Sequence, residues 1–202
     1  MKKIICSAVS VIALSSPALA AEHFKAGDIL VRARAVGITP NESSTMNIND
    51  NVKVDNHVVP ELDATYFFTP NIAAELIAAV SPHDITTTGG VDAGTVWLLP
   101  PTLTLQYHFN QFESVKPYLG AGINYTHFFG EDPGSLTDAH YKDSVGIALQ
   151  AGADIPIQGN WYANVDVKKI YIDTNAKFSN NAVRADVDID PWFVGIGLGY
   201  KF

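Results

Sequence analysis

Charged side chains recur at every second residue in several segments of this chain, and that spacing determines what they can do. Alternate side chains of an extended strand lie on one face of it. Charges on the inward faces of neighbouring strands lose their contact with water and have to be paired. The sequence therefore predicts a buried network of ion pairs, either a permanent plug or a gate, formed by Arg32, Arg34, Glu61, Asp63, Asp166 and Lys168.

Further polar residues fall on the same faces, and so do apolar residues farther along the strands. The additional polar positions are Glu75, Gln106, Asp154 and Asn164. Beyond the charges, the inward positions become apolar and would form a small cup, which suits a small hydrophobic molecule better than a stream of ions. The cup residues are Val36, Ile170, Ile172 and Phe193. The alternative, that these four side chains merely pack beneath loops, stays open.

Eight segments with a two-residue period must position these side chains. Short connections near residues 70, 112 and 159 alternate with long polar ones near 41–56, 82–94, 130–143 and 175–185. This layout predicts an all-β fold, an eight-stranded antiparallel up-and-down transmembrane β-barrel with short periplasmic turns and long extracellular loops. The chain is expected to be a monomer, because a closed barrel leaves no unpaired strand edge.

Aromatic residues mark the short-turn ends of the segments and separate this barrel from a soluble one. They are Tyr66, Phe68, Tyr107, Phe109, Tyr200 and Phe202. A girdle of this kind is typical of the level where a membrane barrel meets the headgroups. A lipocalin-like carrier would instead place these aromatic rings in its core.

The N-terminal segment has the three regions of a secretory signal peptide. Lys2 and Lys3 precede an apolar run that ends in the small-residue pattern Ala18, Leu19, Ala20. We therefore divide the chain into a signal peptide at residues 1–20 and a barrel at residues 21–202. The only cysteine, Cys6, lies in the signal peptide.

The composition excludes other classes of function. Hydrophobic residues make up 47% of the 202 residues, which is too many for a disordered chain. Acidic residues number 21 against 13 Lys and Arg. The protein therefore has no broad cationic surface for nucleic acid, and we expect no nucleic-acid partner.

Catalytic, metal and cofactor sites are not predicted. Lipid hydrolysis is the enzyme activity to consider for a small membrane barrel, and His127 near the long-loop end is its best candidate base. No Gly-x-Ser-x-Gly motif accompanies it. The acidic residues of the third long loop, Glu131, Asp132, Asp138 and Asp143, could attract a divalent cation that bridges lipopolysaccharide, but they match no calcium loop. We expect no catalytic residue, metal ligand or cofactor.

Three stretches resemble the OmpW family of bacterial outer-membrane proteins. They are Leu98–Phe109, Lys116–Gly122 and Asp190–Phe202. The resemblance implies a barrel in the outer membrane of a Gram-negative bacterium, among membrane lipid and lipopolysaccharide. It also implies a function in the passage of small hydrophobic molecules through an apolar lumen that opens sideways into the membrane. The final alternation with Tyr200 and Phe202 resembles the signal read by the barrel assembly machinery.

The charged middle of the predicted lumen conflicts with a continuous apolar passage. A ligand would have to leave sideways above the charges, and Pro100 and Pro101 are the candidate lateral exit, because proline removes ladder donors and implies a local bulge. The alternative function is a plugged, structural barrel whose loops act as an adhesion, phage or toxin receptor.

Overall fold

The structure is a computed structural model, in which residues 23–41, 43–46, 52–54, 56–87, 90, 92–132, 134, 139–178 and 183–202 are described. The predicted signal peptide at residues 1–20 lies outside these ranges. Within them, no helix combines the length and apolar character needed to cross a membrane.

Fifteen strands form within the described ranges. They are β1 (Ile29–Thr39), β2 (Ser43–Met46), β3 (Val52–Val54), β4 (His57–Phe67), β5 (Ile72–Ala79), β6 (Ser81–Thr87), β7 (Asp92–Leu99), β8 (Thr102–His108), β9 (Lys116–Asp132), β10 (Ala139–Tyr141), β11 (Ser144–Gln158), β12 (Trp161–Ile170), β13 (Asp173–Phe178), β14 (Val183–Asp188) and β15 (Trp192–Lys201).

Eight of these strands close into the predicted antiparallel barrel. Around the ring they follow the order β1, β4, β5, β8, β9, β11, β12 and β15, and β15 pairs with β1. Because the ring is closed, the backbone groups of each wall strand have partners on both sides, as a chain in hydrocarbon requires.

The remaining strands lie at the long-loop end of the barrel, where the sequence predicted polar loops. β6 and β7 pair with each other, while β2, β10, β13 and β14 form a separate small sheet. The expectation of loops near residues 82–94 and 175–185 is therefore wrong for the segments that lie in β6, β7, β13 and β14. Their antiparallel neighbours continue the ladder, so polar sequence adopts strand structure there.

The strand ladder of the wall is interrupted between β4 and the segment that runs from β5 into β6. Pairing of β4 with β5 ends where Glu61 lies opposite Ala79, and the pairing of β3 with β6 brings Val54 opposite Ile85. The described residues in between, 56–60 and 80–84, are not paired with each other in these ladders. At this seam the wall depends on side-chain contacts.

The polarity of the two faces of the wall is the reverse of that in a soluble barrel: charged residues face inward and apolar residues face outward. Arg32, Glu75 and Asp154 are completely buried in the lumen, whereas Leu62 and Ile196 on the outer face are 59% and 65% exposed. Such a distribution fits an exterior of lipid and a polar interior. It excludes the alternative of a soluble lipocalin-like carrier.

The aromatic residues at the short-turn end form edge-to-face pairs on the outer surface. The ring centroids of Tyr66 and Phe68 are 5.2 Å apart, and those of Tyr200 and Phe202 are 4.8 Å apart. Trp161 joins the Tyr200–Phe202 pair, with its ring centroid 5.1 Å from that of Tyr200. These rings form the predicted girdle.

Ile196→Arg tests the lipid-facing assignment. Ile196 lies four residues from the girdle residue Tyr200, close to the middle of the apolar band, so the variant should lose about 2–4 kcal/mol of unfolding free energy. Val145→Arg, near the outer rim, is the matched control and should lose no more than about 1 kcal/mol. Urea unfolding in lipid bilayers measures both. Equal losses at the two positions would contradict the assignment.

Candidate functional site

Arg32 is the centre of the polar interior. Its Nη1 lies 2.7 Å from Asp63 Oδ1 and 3.2 Å from Glu75 Oε1. On the other side of the lumen, Nε donates a hydrogen bond to Asp154 Oδ1 and Nη2 donates one to Asp154 Oδ2, both at 3.0 Å. One guanidinium thus ties β1 to three other strands, β4, β5 and β11, and its contact with Asp154 has the bidentate geometry that makes such pairs strong.

Arg34 joins the same carboxylates one step closer to the outside. Its Nε lies 2.8 Å from Glu61 Oε1, and its Nη2 lies 2.7 Å from Asp63 Oδ2. These two contacts are close enough to be ion pairs but do not have the geometry of hydrogen bonds. Arg34 Nη2 does donate a hydrogen bond to Glu75 Oε1, at 3.0 Å. The register between β1 and β4 explains the contacts with Asp63 and Glu61, because Arg32 lies opposite Asp63 and Arg34 lies opposite Glu61.

Lys168 closes the network on its outer side. Its Nζ lies 3.1 Å from Glu61 Oε2 and 3.7 Å from Asp166 Oδ1. Asp166 Oδ2 in turn accepts hydrogen bonds from the Tyr118 hydroxyl at 2.7 Å and from Gln150 Nε2 at 2.8 Å. The structure therefore brings together all six residues that the sequence assigned to the network.

Glu75 and Asp154 belong to the same network, although sequence reasoning placed them only in the lumen. Glu75 contacts both arginines, and its other oxygen accepts from Thr104 Oγ1 and Gln106 Nε2. Asp154 is on β11, three strands from Arg32 around the ring. The alternation indicated that both face inward, but only closure of the barrel brings them to Arg32.

We call this set the ion-pair layer. It consists of Arg32, Arg34, Glu61, Asp63, Glu75, Asp154, Asp166 and Lys168. Five carboxylates surround three cations, all nearly or completely buried. Every carboxylate touches at least one cation, which is the condition for keeping such charges out of water.

Glycines on β15 make room for the arginine side chains. Gly199 lies opposite Arg32 and Gly197 lies opposite Arg34. A Cβ at Gly197 would be 2.7 Å from Arg34 Cγ and 2.2 Å from the Ala33 carbonyl oxygen. Larger residues at this position would therefore displace the arginine or the neighbouring strand.

The periplasmic end of the lumen is closed by the segment that precedes β1. Phe24 is fully buried, with its ring centroid 4.3 Å from that of Phe67 and 5.4 Å from that of Tyr162. The Phe24 backbone exchanges hydrogen bonds with the Asn110 side chain, at 3.1 and 2.9 Å. Lys116 Nζ lies 5.7 Å from the Phe24 ring centroid. The Phe24 side chain therefore closes the lumen below the ion-pair layer.

Buried apolar side chains form a cluster in the lumen on the outer side of the ion-pair layer. We call this group the apolar cluster, and it includes all four residues of the predicted cup. Its members are Val36, Ile38, Val59, Ile85, Val96, Leu98, Phe128, Ala148, Ile170, Ile172, Ile189 and Phe193. The sequence missed eight of them, although several, such as Val59 and Ile38, continue inward faces whose alternation it had identified. Ile85 lies on β6, where a loop was expected, and Val96 and Leu98 lie on β7 beyond that predicted loop.

Pro100–Pro101 interrupt the wall without the bulge that the sequence predicted. Thr102 lies opposite Asn124, and Leu99 lies opposite His127, so both strands advance by three residues across the prolines. The register is therefore continuous, and the predicted bulge is wrong. Proline removes a ladder donor but does not by itself insert a residue.

Asn124 reinforces the wall beside these prolines. Its Nδ2 donates to the Pro100 carbonyl at 3.2 Å and to Thr102 Oγ1 at 2.9 Å. The Tyr125 backbone N–H donates to the Pro101 carbonyl at 3.0 Å. The carbonyls are satisfied, so any weakness of the wall at this point comes only from the two missing donors.

His127, the candidate base, is part of an exposed cluster at the outer rim. Its Nδ1 lies 3.0 Å from Asp143 Oδ2, whose other contact is the Tyr125 hydroxyl at 2.5 Å. The Tyr125 hydrogen bond, followed by that of His127, lowers the pKa of Asp143 to about 2. Of the acidic loop residues, Asp138 lies outside the described residues. Among the described ones, no three His, Cys, Asp or Glu side chains are grouped to hold a metal.

Arg34→Met tests the energetics of the ion-pair layer. Removing this cation leaves Glu61, Asp63 and Glu75 with less compensation, so we expect a loss of about 3–5 kcal/mol in unfolding free energy. His127→Ala is the control, because the His127–Asp143 pair is solvent-exposed and its removal should leave the urea midpoint nearly unchanged. Wild-type stability of Arg34→Met would show that these ion pairs do not hold the barrel.

Comparison with known proteins agrees with this architecture. Residues 25–202 match the OmpW family. The chain is 37% identical over 219 residues to outer membrane protein W of Vibrio cholerae, covering 100% of both chains. It is also similar to the crystal structure of OprG from Pseudomonas aeruginosa, with a TM-score of 0.83, 32% identity, and coverage of 88% of this chain and 97% of that one.

A shorter match concerns a protein named for its operon. The dibenzothiophene metabolism operon protein PahQ of Pseudomonas aeruginosa is 31% identical over 115 residues, which cover 56% of this chain and 54% of PahQ. The family match spans nearly the whole described chain, and the fold and the lipid-facing exterior agree with it. This protein therefore belongs to the OmpW family and lies in the outer membrane of a Gram-negative bacterium.

Proposed function

We propose that this barrel binds small hydrophobic molecules from outside in its outer half and releases them sideways into the membrane. The observation that carries the proposal is the apolar cluster, which lines the lumen above a buried ion-pair layer. A lumen lined in this way favours apolar ligands over ions. The name of PahQ, which refers to the metabolism of the apolar heterocycle dibenzothiophene, supports the same class of ligand.

The direction of release follows from the two closures of the lumen. The ion-pair layer and Phe24 occupy the path toward the periplasm. An apolar molecule that crossed the layer would have to separate the ion pairs and leave buried charges without polar partners, which is costly. A sideways route above the layer avoids that cost. The proposed exit is at Pro100 and Pro101, where two ladder donors are missing.

The barrel is proposed to act without catalysis and without a cofactor. We further propose that it functions as a monomer, that its rim contacts lipopolysaccharide, and that Tyr200 and Phe202 are read by the barrel assembly machinery. The exposed ring of Phe202 is available for such recognition.

A second candidate function is a closed, structural barrel whose outer loops serve as an adhesion, phage or toxin receptor. The observation that favours it is the double closure by the ion-pair layer and Phe24. The binding experiment below separates the two candidates, because a structural barrel has no saturable site for apolar compounds.

Phe193→Asp tests the binding function. Phe193 is only 6% exposed within the apolar cluster, so a carboxylate there should abolish saturable binding of small apolar compounds. Tryptophan fluorescence of the refolded barrel reports on binding, because Trp192 is the neighbouring residue. Phe193→Leu is the matched control and should retain binding within about threefold. If the wild type itself shows no saturable binding, the receptor function replaces the proposal.

Replacing both prolines, Pro100→Ala with Pro101→Ala, tests the lateral exit. Two restored N–H donors should strengthen the wall at this point. We expect slower delivery of a bound apolar compound into the surrounding bilayer, with unchanged binding affinity, in uptake assays on proteoliposomes. Unchanged delivery would place the exit elsewhere.

A further inference from the structure

Two histidines lie among the inward residues of the outer half. His57 on β4 is two residues from Val59 and lies opposite Ile38 of β1. His83 on β6 is two residues from Ile85 and lies opposite Val96 of β7. All four of these neighbours belong to the apolar cluster. The imidazoles are therefore polar groups whose neighbours along and across the strands are apolar.

The two imidazoles meet across the seam in the wall. Their ring centroids are 5.0 Å apart, and their planes are nearly perpendicular, at 85°. This contact lies where the described residues 56–60 and 80–84 are not paired with each other in the strand ladders. The edge-to-face contact with His83 fixes the orientation of the His57 ring.

His57 presents a nitrogen that has no hydrogen-bond partner in the described part of the chain. Its Nε2 atom is buried. By contrast, Asn124 on the inward face of β9 is satisfied, since it donates to Thr102 Oγ1 at 2.9 Å and accepts from Thr126 Oγ1 at 2.7 Å. Leaving a buried polar atom unpaired is costly, so such an atom calls for an explanation.

We infer that His57 Nε2 is the hydrogen-bonding point for the polar atom of the ligand. The inference rests on the proposed function and narrows it. The preferred ligands are small apolar molecules with one neutral oxygen, such as phenols, alcohols or aldehydes, rather than pure hydrocarbons. An imidazole nitrogen suits this class, because Nε2 either accepts from a hydroxyl group or donates to a carbonyl oxygen, depending on the tautomer.

A matched pair of ligands isolates this hydrogen bond. The two compounds p-cresol and p-xylene have the same shape and differ by a hydroxyl in place of a methyl group. Calorimetric titration of the barrel in lipid nanodiscs, with empty nanodiscs subtracted, measures both affinities. We expect the wild type to bind p-cresol about tenfold more tightly than p-xylene, as one buried hydrogen bond allows.

Variants at His57 provide the controls. His57→Phe keeps an aromatic ring against His83, and it should lose the preference for p-cresol while its affinity for p-xylene stays within about twofold. His57→Gln, which retains a donor and an acceptor, should recover part of the preference. Heat-modifiable gel mobility verifies that each variant is folded, and His57→Leu replaces His57→Phe if the latter is not.

The outcomes separate this inference from the proposed function. Binding of both compounds with equal affinity by the wild type, or an intact p-cresol preference in His57→Phe, overturns the role of His57 and leaves the apolar binding function standing. Saturable binding of neither compound overturns the proposed function and this inference together.

Discussion

The buried guanidinium groups of Arg32 and Arg34 are the constraint on which the rest of this barrel depends. Two permanent cations in a narrow lumen require carboxylates from several strands, and Asp63, Glu75 and Asp154 supply them from β4, β5 and β11. These contacts span the ring, so they hold the barrel cross-section as well as satisfying charge. The neighbouring β15 accommodates them because Gly197 leaves space that no larger residue could.

The ion-pair layer also divides the lumen into two compartments with different chemistry. Below it, Phe24 packs against Phe67 and Tyr162 and seals the periplasmic end. Above it, the apolar cluster lines the outer half. Under the proposed function, a ligand that enters from outside meets the apolar cluster first and the layer of charge second. In that proposal, the free-energy cost of leaving buried charges unpaired favours departure through the wall rather than along the barrel axis.

Much of this arrangement could be predicted because a strand has a strict two-residue period. The period placed Arg32 with Arg34 and Glu61 with Asp63 on inward faces, and counting from the short turns paired them correctly across β1 and β4. The two-residue period gave wrong predictions for segments whose side chains do not alternate clearly between polar and apolar. Polar segments such as β6 were expected to be loops, because the neighbouring strand that stabilises them is not visible in the sequence. The proline pair was expected to form a bulge, which the continuous register excludes.

The sequence by itself determined the eight wall strands, the direction in which each side chain points and the lipid-facing exterior, since all three follow from local alternation and from the positions of turns and aromatic residues. The tertiary structure decided which inward residues meet. Asp154 reaches Arg32 from three strands away, and His57 meets His83 across a seam in the wall. Such contacts depend on ring closure, strand stagger and register, which set distances across the lumen that no spacing along the chain encodes.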